Sequence, residues 1–210
     1  MISIPVFNND GQEIDQIQID EQLLGGRVRP ALLKQALVRH HANNRQGSAT
    51  TKSRGMVDGS TRKLYKQKGT GNARMGANRT VVRRGGGVAF AKKPRDFTLR
   101  MPKKQRRLAR NSAILAKLQS SDAMVVDELK FSDPKTSRFV TLLQNLKIER
   151  SCLVAIEGYD DNVYKSLRNI PRINAVLVEQ LNAGEICKHR TLLFTREAIE
   201  SFFNSGNGGE

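Results

Sequence analysis

The chain has 210 residues, 36 Lys+Arg against 20 Asp+Glu, a formal net charge of +16, an apolar share of 38% and no tryptophan. That length holds one domain, or one domain with a large insertion, and the charge favours nucleic acid or an anionic membrane surface as partner. No run approaches the roughly 20 apolar residues that cross a bilayer, and two cysteines, Cys152 and Cys187, make no disulfide framework.

The N-terminal stretch MISIPVFNNDGQEIDQIQID has neither the basic start and apolar centre of a signal peptide nor the acid-poor character of a transit peptide, so a cytoplasmic protein is expected. Within it, ISIPVF and EIDQIQI carry apolar residues at strand spacing around the turn NNDGQ, which predicts a hairpin. RPALLKQALVRHHANNRQ follows as a helix, with Pro30 in its first turn and Leu32, Leu33, Ala36, Leu37 and His40 on one face. His40 and His41 point apart and are expected at the surface or facing RNA.

Periodicity then stops. Between Asn43 and Thr80 the large apolar residues are Met56, Val57, Leu64, Tyr65 and Met75, and glycines interrupt the stretch throughout. The charge is concentrated here: Arg45 to Arg110 holds 20 bases and 2 acids, leaving 16 bases and 18 acids for everything else.

Order resumes with KKQRRLARNSAILAKLQSSD, a helix whose predicted inner side is Leu108, Ala109, Ser112, Leu115, Ala116 and Gln119, and whose start is strongly basic. After it, the strand-like runs AMVVDEL, SCLVAIEG, NAVLVEQ and TLLFT alternate with helical SRFVTLLQNLKI, DNVYKSLRNI and AGEICKH, and REAIESFF closes the series. Alternation of this kind predicts an α/β fold with a largely parallel, Rossmann-like sheet and helices on both faces. The expected organisation is a discontinuous body, 1–44 and 96–204, a long extended basic loop at 45–95, and a frayed tail at 205–210. Cys152, inside CLVAI, is expected to be a small buried residue, and Asp160–Asp161 to cap a helix.

The loop has no means of ordering itself. Fixing about 50 residues costs on the order of 50–100 kcal/mol of backbone entropy, whereas each buried medium-sized apolar side chain returns about 1.5–3 kcal/mol. Alone, it is expected to be mobile. Phosphates can supply what a core cannot: each one neutralised releases counterion, glycine lets the backbone approach, and arginine matches phosphate and stacks on bases. Tyr65, Phe90 and Phe97 are candidates for stacking on unpaired bases. Arms of about 25 residues reach at most roughly 80 Å, which suits threading into a deep RNA structure.

Other chemistry finds little support. Gly69-x-Gly71 has Arg74 where a dinucleotide fingerprint needs its third glycine, and it follows no strand. Cys187 and His189 form a lone C-x-H without a second pair. No catalytic constellation, metal site or cofactor site is expected. An RNA-modifying enzyme would need a glycine-rich turn after a body strand, and Gly158 is the only glycine at those strand ends. A regulatory binder of mRNA is compatible with the same basic loop.

At residues 62–74, RKLYKQKGTGNAR, the chain resembles the bacterial type of the fourth large-subunit ribosomal protein family, whose loop reads approximately R-K-P-W-[RK]-Q-K-G-T-G-R-A-R. RQGSATTKSRGMVDGS upstream, RRGGGVAFAKKPRDF and PKKQRRLARNSAI downstream, and the ending NAVLVEQLNAGEICKHRTLLFTREAIE extend the likeness over nearly the whole chain. The chain departs from the family at Leu64-Tyr65, where Pro-Trp is usual, at Asn72 for an arginine, at Val81 for a proline and at Arg83 for an aromatic residue.

The resemblance implies a non-enzymatic, cytoplasmic ribosomal protein that binds 23S rRNA early in subunit assembly. Its loop would thread rRNA and help line the nascent-peptide exit tunnel beside a loop from a second ribosomal protein. By position, Lys68, Gly69, Thr70, Gly71 and Asn72 would line the tunnel and meet the nascent peptide. Arg45, Lys52, Arg54, Arg62, Lys63, Tyr65, Lys66, Lys68, Arg74, Arg79, Arg83, Arg84, Lys92, Lys93 and Arg95 would hold rRNA, joined by Lys103, Lys104, Arg106 and Arg107 at the following helix start.

Overall fold

The N-terminal hairpin forms as its alternation predicts: β1 (Ile2–Phe7) and β2 (Glu13–Ile19) pair antiparallel. The computed structural model describes residues 1–206, with side chains through residue 204. A 3-10 turn at Glu21–Leu24, which the sequence pattern does not signal, then leads to α1 (Pro30–Asn43). The remaining regular elements are α2 (Lys103–Gln119), β3 (Ala123–Val126), α3 (Thr136–Asn145), β4 (Cys152–Ile156), α4 (Asp161–Leu167), β5 (Ile173–Leu177), a short 3-10 helix at Val178–Gln180 where the expected strand NAVLVEQ would continue, α5 (Ala183–Lys188), β6 (Thr191–Thr195) and α6 (Arg196–Gly206).

The strands form one sheet in the order β2-β1-β3-β6-β4-β5, parallel at every pairing except β1 with β2. Short apolar runs suit such a sheet because both faces are covered. Along β4, Leu153 and Ala155 enter one core cluster, while Cys152, Val154 and Ile156 enter a second on the opposite face. The first is built with α1, α2, α5 and α6 through residues such as Ala36, Leu115, Ile186 and Phe202. The second uses Phe139 and Leu142 of α3 with Val163 and Leu167 of α4. The mixed α/β sheet read from the sequence is therefore present.

Helix α2 differs in detail from its predicted face. Ala116 is only partly buried and Gln119 is exposed, whereas Ala113, Ile114 and Leu118 are buried. The helix meets α5 and the 3-10 turn at Glu21–Leu24 as well as the sheet side, so more than one stripe is covered. Buried Ser112 is satisfied: its Oγ accepts from the Arg29 amide at 3.2 Å and donates to the Arg27 carbonyl at 3.4 Å.

Several polar residues take structural roles. His40 is half-buried, with Nε2 3.5 Å from Glu185 Oε1, and an ideal Cβ on Gly184 would lie 2.3 Å from its ring. It packs α1 against α5 and is therefore not the surface residue expected, whereas His41 is exposed as expected. Buried His189 has Nδ1 2.9 Å from the Glu185 carbonyl and Nε2 3.2 Å from the Asn174 amide nitrogen, which assigns the proton to Nδ1. Cys152 is fully buried, and burial pushes its thiol up to about 12. Helix α6 continues to Gly206, two residues into the expected tail, the rest of which lies outside the described residues.

Asp160 is the N-cap of α4, its Oδ1 accepting from the Asn162 amide at 2.8 Å and the Val163 amide at 3.4 Å. Asp160→Ala is expected to cost about 1 kcal/mol, seen in a thermal melt as a midpoint lowered by about 2–4 °C.

Candidate nucleic-acid interface

Contacts divide the chain into two compact units: residues 1–41 with those from 100 onward, and Ala42–Leu99. The second contains no named helix or strand beyond the last residues of α1. Among its described residues only Gly87 is buried, while Met56, Leu64, Val81, Val82, Val88, Phe90 and Leu99 are exposed apolar side chains. A segment of this composition has no core to fold around, and its order comes from polar backbone pairing instead.

That pairing runs out and back. The Arg95 amide donates to the Gly47 carbonyl at 3.1 Å, Thr51 to Lys92 at 3.0 Å, Val88 to Lys52 at 2.9 Å and Leu64 to Gly76 at 3.1 Å. Isolated bridges join Ser53 with Val88 and Lys63 with Ala77. Lys63 Nζ donates to Gln67 Oε1 at 2.8 Å and to the Met75 carbonyl at 2.9 Å, and the Tyr65 hydroxyl donates to the Ala73 carbonyl. Successive partners converge on Lys66–Asn72, which form the turn. Gly69 and Gly71 lie there at φ +84° and +67° with open space around them, so left-handed backbone rather than crowding selects glycine. At Gly87 the reason is contact, since a Cβ would lie 2.2 Å from the Arg54 backbone nitrogen.

The base of the segment is clasped by groups that the sequence reading passed over. Asn43 Oδ1 accepts from the Leu99 amide at 2.8 Å. Asp96 Oδ1 accepts from the Thr98 amide and hydroxyl, bonds that hold its carboxyl below the ordinary range. The spacing Asp-x-Thr is the available signal for such a turn. Arg45 and Arg95 sit 4.0 and 4.2 Å from the Phe97 ring centroid. Phe97, a candidate base-stacking ring, is thus engaged within the chain, as are two of the candidate cations.

The electrostatics are one-sided. None of the candidate cations from Arg45 to Arg107 lies within 4.0 Å of a carboxylate among the described residues. Arg79 and Arg83 are half-buried; Lys52, Arg54, Arg62, Lys63, Lys66, Lys68, Arg74, Arg84, Lys92 and Lys93 are exposed, as are Gly69, Thr70, Gly71 and Asn72 at the turn. Lys103, Lys104, Arg106 and Arg107 are exposed on the first turns of α2, in the other unit. Cations of that unit behave differently. Arg196 reaches Asp15, Asp127 and Glu200 at 3.3–3.4 Å. Arg110 lies 4.7 Å from the Phe202 ring centroid, where burial and then Arg107 press its guanidinium below its ordinary value.

The unpaired cationic segment, with its Lys-Gly-Thr-Gly turn, lies inside a longer stretch that matches a known family. The model for "Ribosomal protein L4/L1 family" matches residues 17–204. The chain belongs to the ribosomal protein L4/L1 family. Large ribosomal subunit protein uL4 of Dehalococcoides mccartyi is 44% identical over 198 residues, covering 94% of each chain. The uL4 protein of Rhodopirellula baltica is 43% identical over 201 residues, 95% of this chain and 90% of the relative. That of Carboxydothermus hydrogenoformans is 39% identical over 199 residues, 95% and 97% respectively. Family membership thus spans both units, the α/β sheet and the cationic segment alike. No described helix is long and apolar enough to cross a membrane.

Proposed function

We propose that the chain is a structural constituent of the large ribosomal subunit, without catalysis of its own, working in the cytoplasm as part of the ribosome. Its Rossmann-like body, 1–44 and 96–204, carries residues 45–95 as an extended loop that threads 23S rRNA early in subunit assembly. The loop turn, Lys68–Asn72, helps line the nascent-peptide exit tunnel, next to a loop from a second large-subunit protein. Family membership supports the ribosomal role. The observation that carries the RNA-binding reading is the unpaired charge of 45–95. Lysines and arginines held on a coreless segment without carboxylate partners are complementary to a phosphate backbone, whose counterions they displace.

The reading is tested by sedimenting tagged protein from a gentle lysate and repeating the run at about 0.5 M salt, where screening is strong. A threaded component stays with the large subunit at both salts. Release as salt rises, or free sedimentation throughout, would make the loop a surface grip and overturn the threading. At the level of single side chains, replacing Lys66, Lys68 and Arg74 with Ala is expected to reduce the slope of log affinity against log salt by up to about three for a 23S rRNA fragment. An unchanged slope in a filter-binding titration would remove those three from the phosphate contacts.

A further inference from the structure

We infer that Phe90 is a preformed stacking platform for one unpaired nucleobase. This rests on the RNA-binding reading above and names a contact within it. Three aromatic rings lie in 45–99, and two are engaged within the chain: the Tyr65 hydroxyl bonds the Ala73 carbonyl, and Phe97 carries the guanidinium groups of Arg45 and Arg95. Phe90 is 96% exposed, with no ring or cation partner among the described residues.

Its backbone is anchored on both sides. Val88 N–H donates to the Lys52 carbonyl at 2.9 Å. Lys92 N–H donates to Thr51 Oγ1 at 2.7 Å, and its carbonyl accepts from the Thr51 amide at 3.0 Å. Thr51 and Lys52 are chain neighbours, yet their partners are four positions apart. Ala89, Phe90 and Ala91 therefore have no counterpart on the opposite arm, and Ala89 and Phe90 are exposed while Ala91 is partly buried. The two flanking alanines are too small to cover the ring.

A ring held in water by a fixed backbone gains nothing from the folded chain, while the ordering cost of binding to it is largely met beforehand. Charge decides what covers it. Lys92 and Lys93 follow directly, and no acid occurs between Asp58 and Asp96. An apolar protein pocket accepts a phenyl ring without needing this field. A nucleotide uses both parts, base on ring and phosphate near lysine, and only an unpaired base offers a free face.

The test exploits the absence of tryptophan from the chain. In the full-length Phe90→Trp variant, the sole indole reports stacking by emission quenching. Single-stranded poly(A) is expected to quench it, whereas the poly(A)·poly(U) duplex leaves it bright. Phe90→Ala is expected to weaken poly(A) binding on the order of tenfold, with Phe90→Leu no better and duplex binding unchanged. Poly(A) binding without quenching, and at equal affinity for Phe90→Ala, would overturn the stacking role while leaving RNA binding intact. Failure of the wild-type chain to bind any RNA would overturn both. An indole that ignores RNA but shifts to the blue with RNA-free large-subunit proteins would assign the ring to a protein neighbour instead, and the base-stacking role would fall.

Discussion

Deleting residues 47–94 is expected to leave a folded body that no longer holds rRNA. Every residue of the two core clusters lies outside 42–99, so the deletion removes none of the buried apolar surface that drives folding. Closing the gap needs no long linker, because Arg95 N–H already bonds the Gly47 carbonyl at 3.1 Å and Gln46 can continue directly into Arg95. The deletion takes away 12 bases and one acid, lowering the formal charge from +16 to +5. On the proposed reading, affinity for a 23S rRNA fragment drops on the order of 10³-fold or more at physiological salt, since most of the cations proposed to displace counterions are gone. Circular dichroism and a thermal melt check the body, and filter binding checks the RNA. A deletion protein that is unfolded would show that the segment belongs to the folding unit, and one that binds as before would move the RNA site onto the body.

The opposite separation is expected from Phe194→Ala. Phe194 is 1% exposed on β6, a central strand, where it pairs in register with Val125 of β3 and Ala155 of β4. Truncating a buried phenylalanine costs about 3–5 kcal/mol through lost transfer energy and the cavity left behind. That is a large part of the roughly 5–15 kcal/mol that holds a typical domain folded. The melting midpoint should fall on the order of 10 °C. Below that midpoint the salt dependence of RNA binding should match the wild type, because none of the cations proposed to meet phosphate lies on β6 or in the two core clusters. A denaturant titration gives the first quantity, and a salt titration at low temperature the second. Were the salt slope to change as well, the body and the cationic segment would have to be coupled.

The order of elements was legible from the residues because both of its signals are local. The runs AMVVDEL, SCLVAIEG, NAVLVEQ and TLLFT appear, the first three with different ends, as β3 to β6, and the intervening amphipathic stretches as α3, α4 and α5. The cap at Asp160 and the burial of Cys152 follow from their immediate neighbours in the same way. The cationic segment was equally plain, since composition alone shows that residues 43–80 have too little apolar surface to fold around.

What the residues did not disclose depends on partners distant in the chain. His40 looked like a surface histidine, but Gly184 opens the space in which its ring packs beside Glu185. Phe97 looked free to stack on a base, but Arg45, 52 positions earlier, closes over it together with Arg95. The inner side of α2 could not be drawn from one periodic stripe, because α5 and the 3-10 turn at Glu21–Leu24 cover it from directions that only the tertiary fold specifies. By itself, the sequence determined the sheet's class and the place of the excess charge, which rest on local pattern and composition, while the family came from the resemblance of residues 62–74 to a known loop. Only the tertiary structure decided which cations and rings are already engaged within the chain. That follows from long-range contacts, which periodicity and composition do not encode.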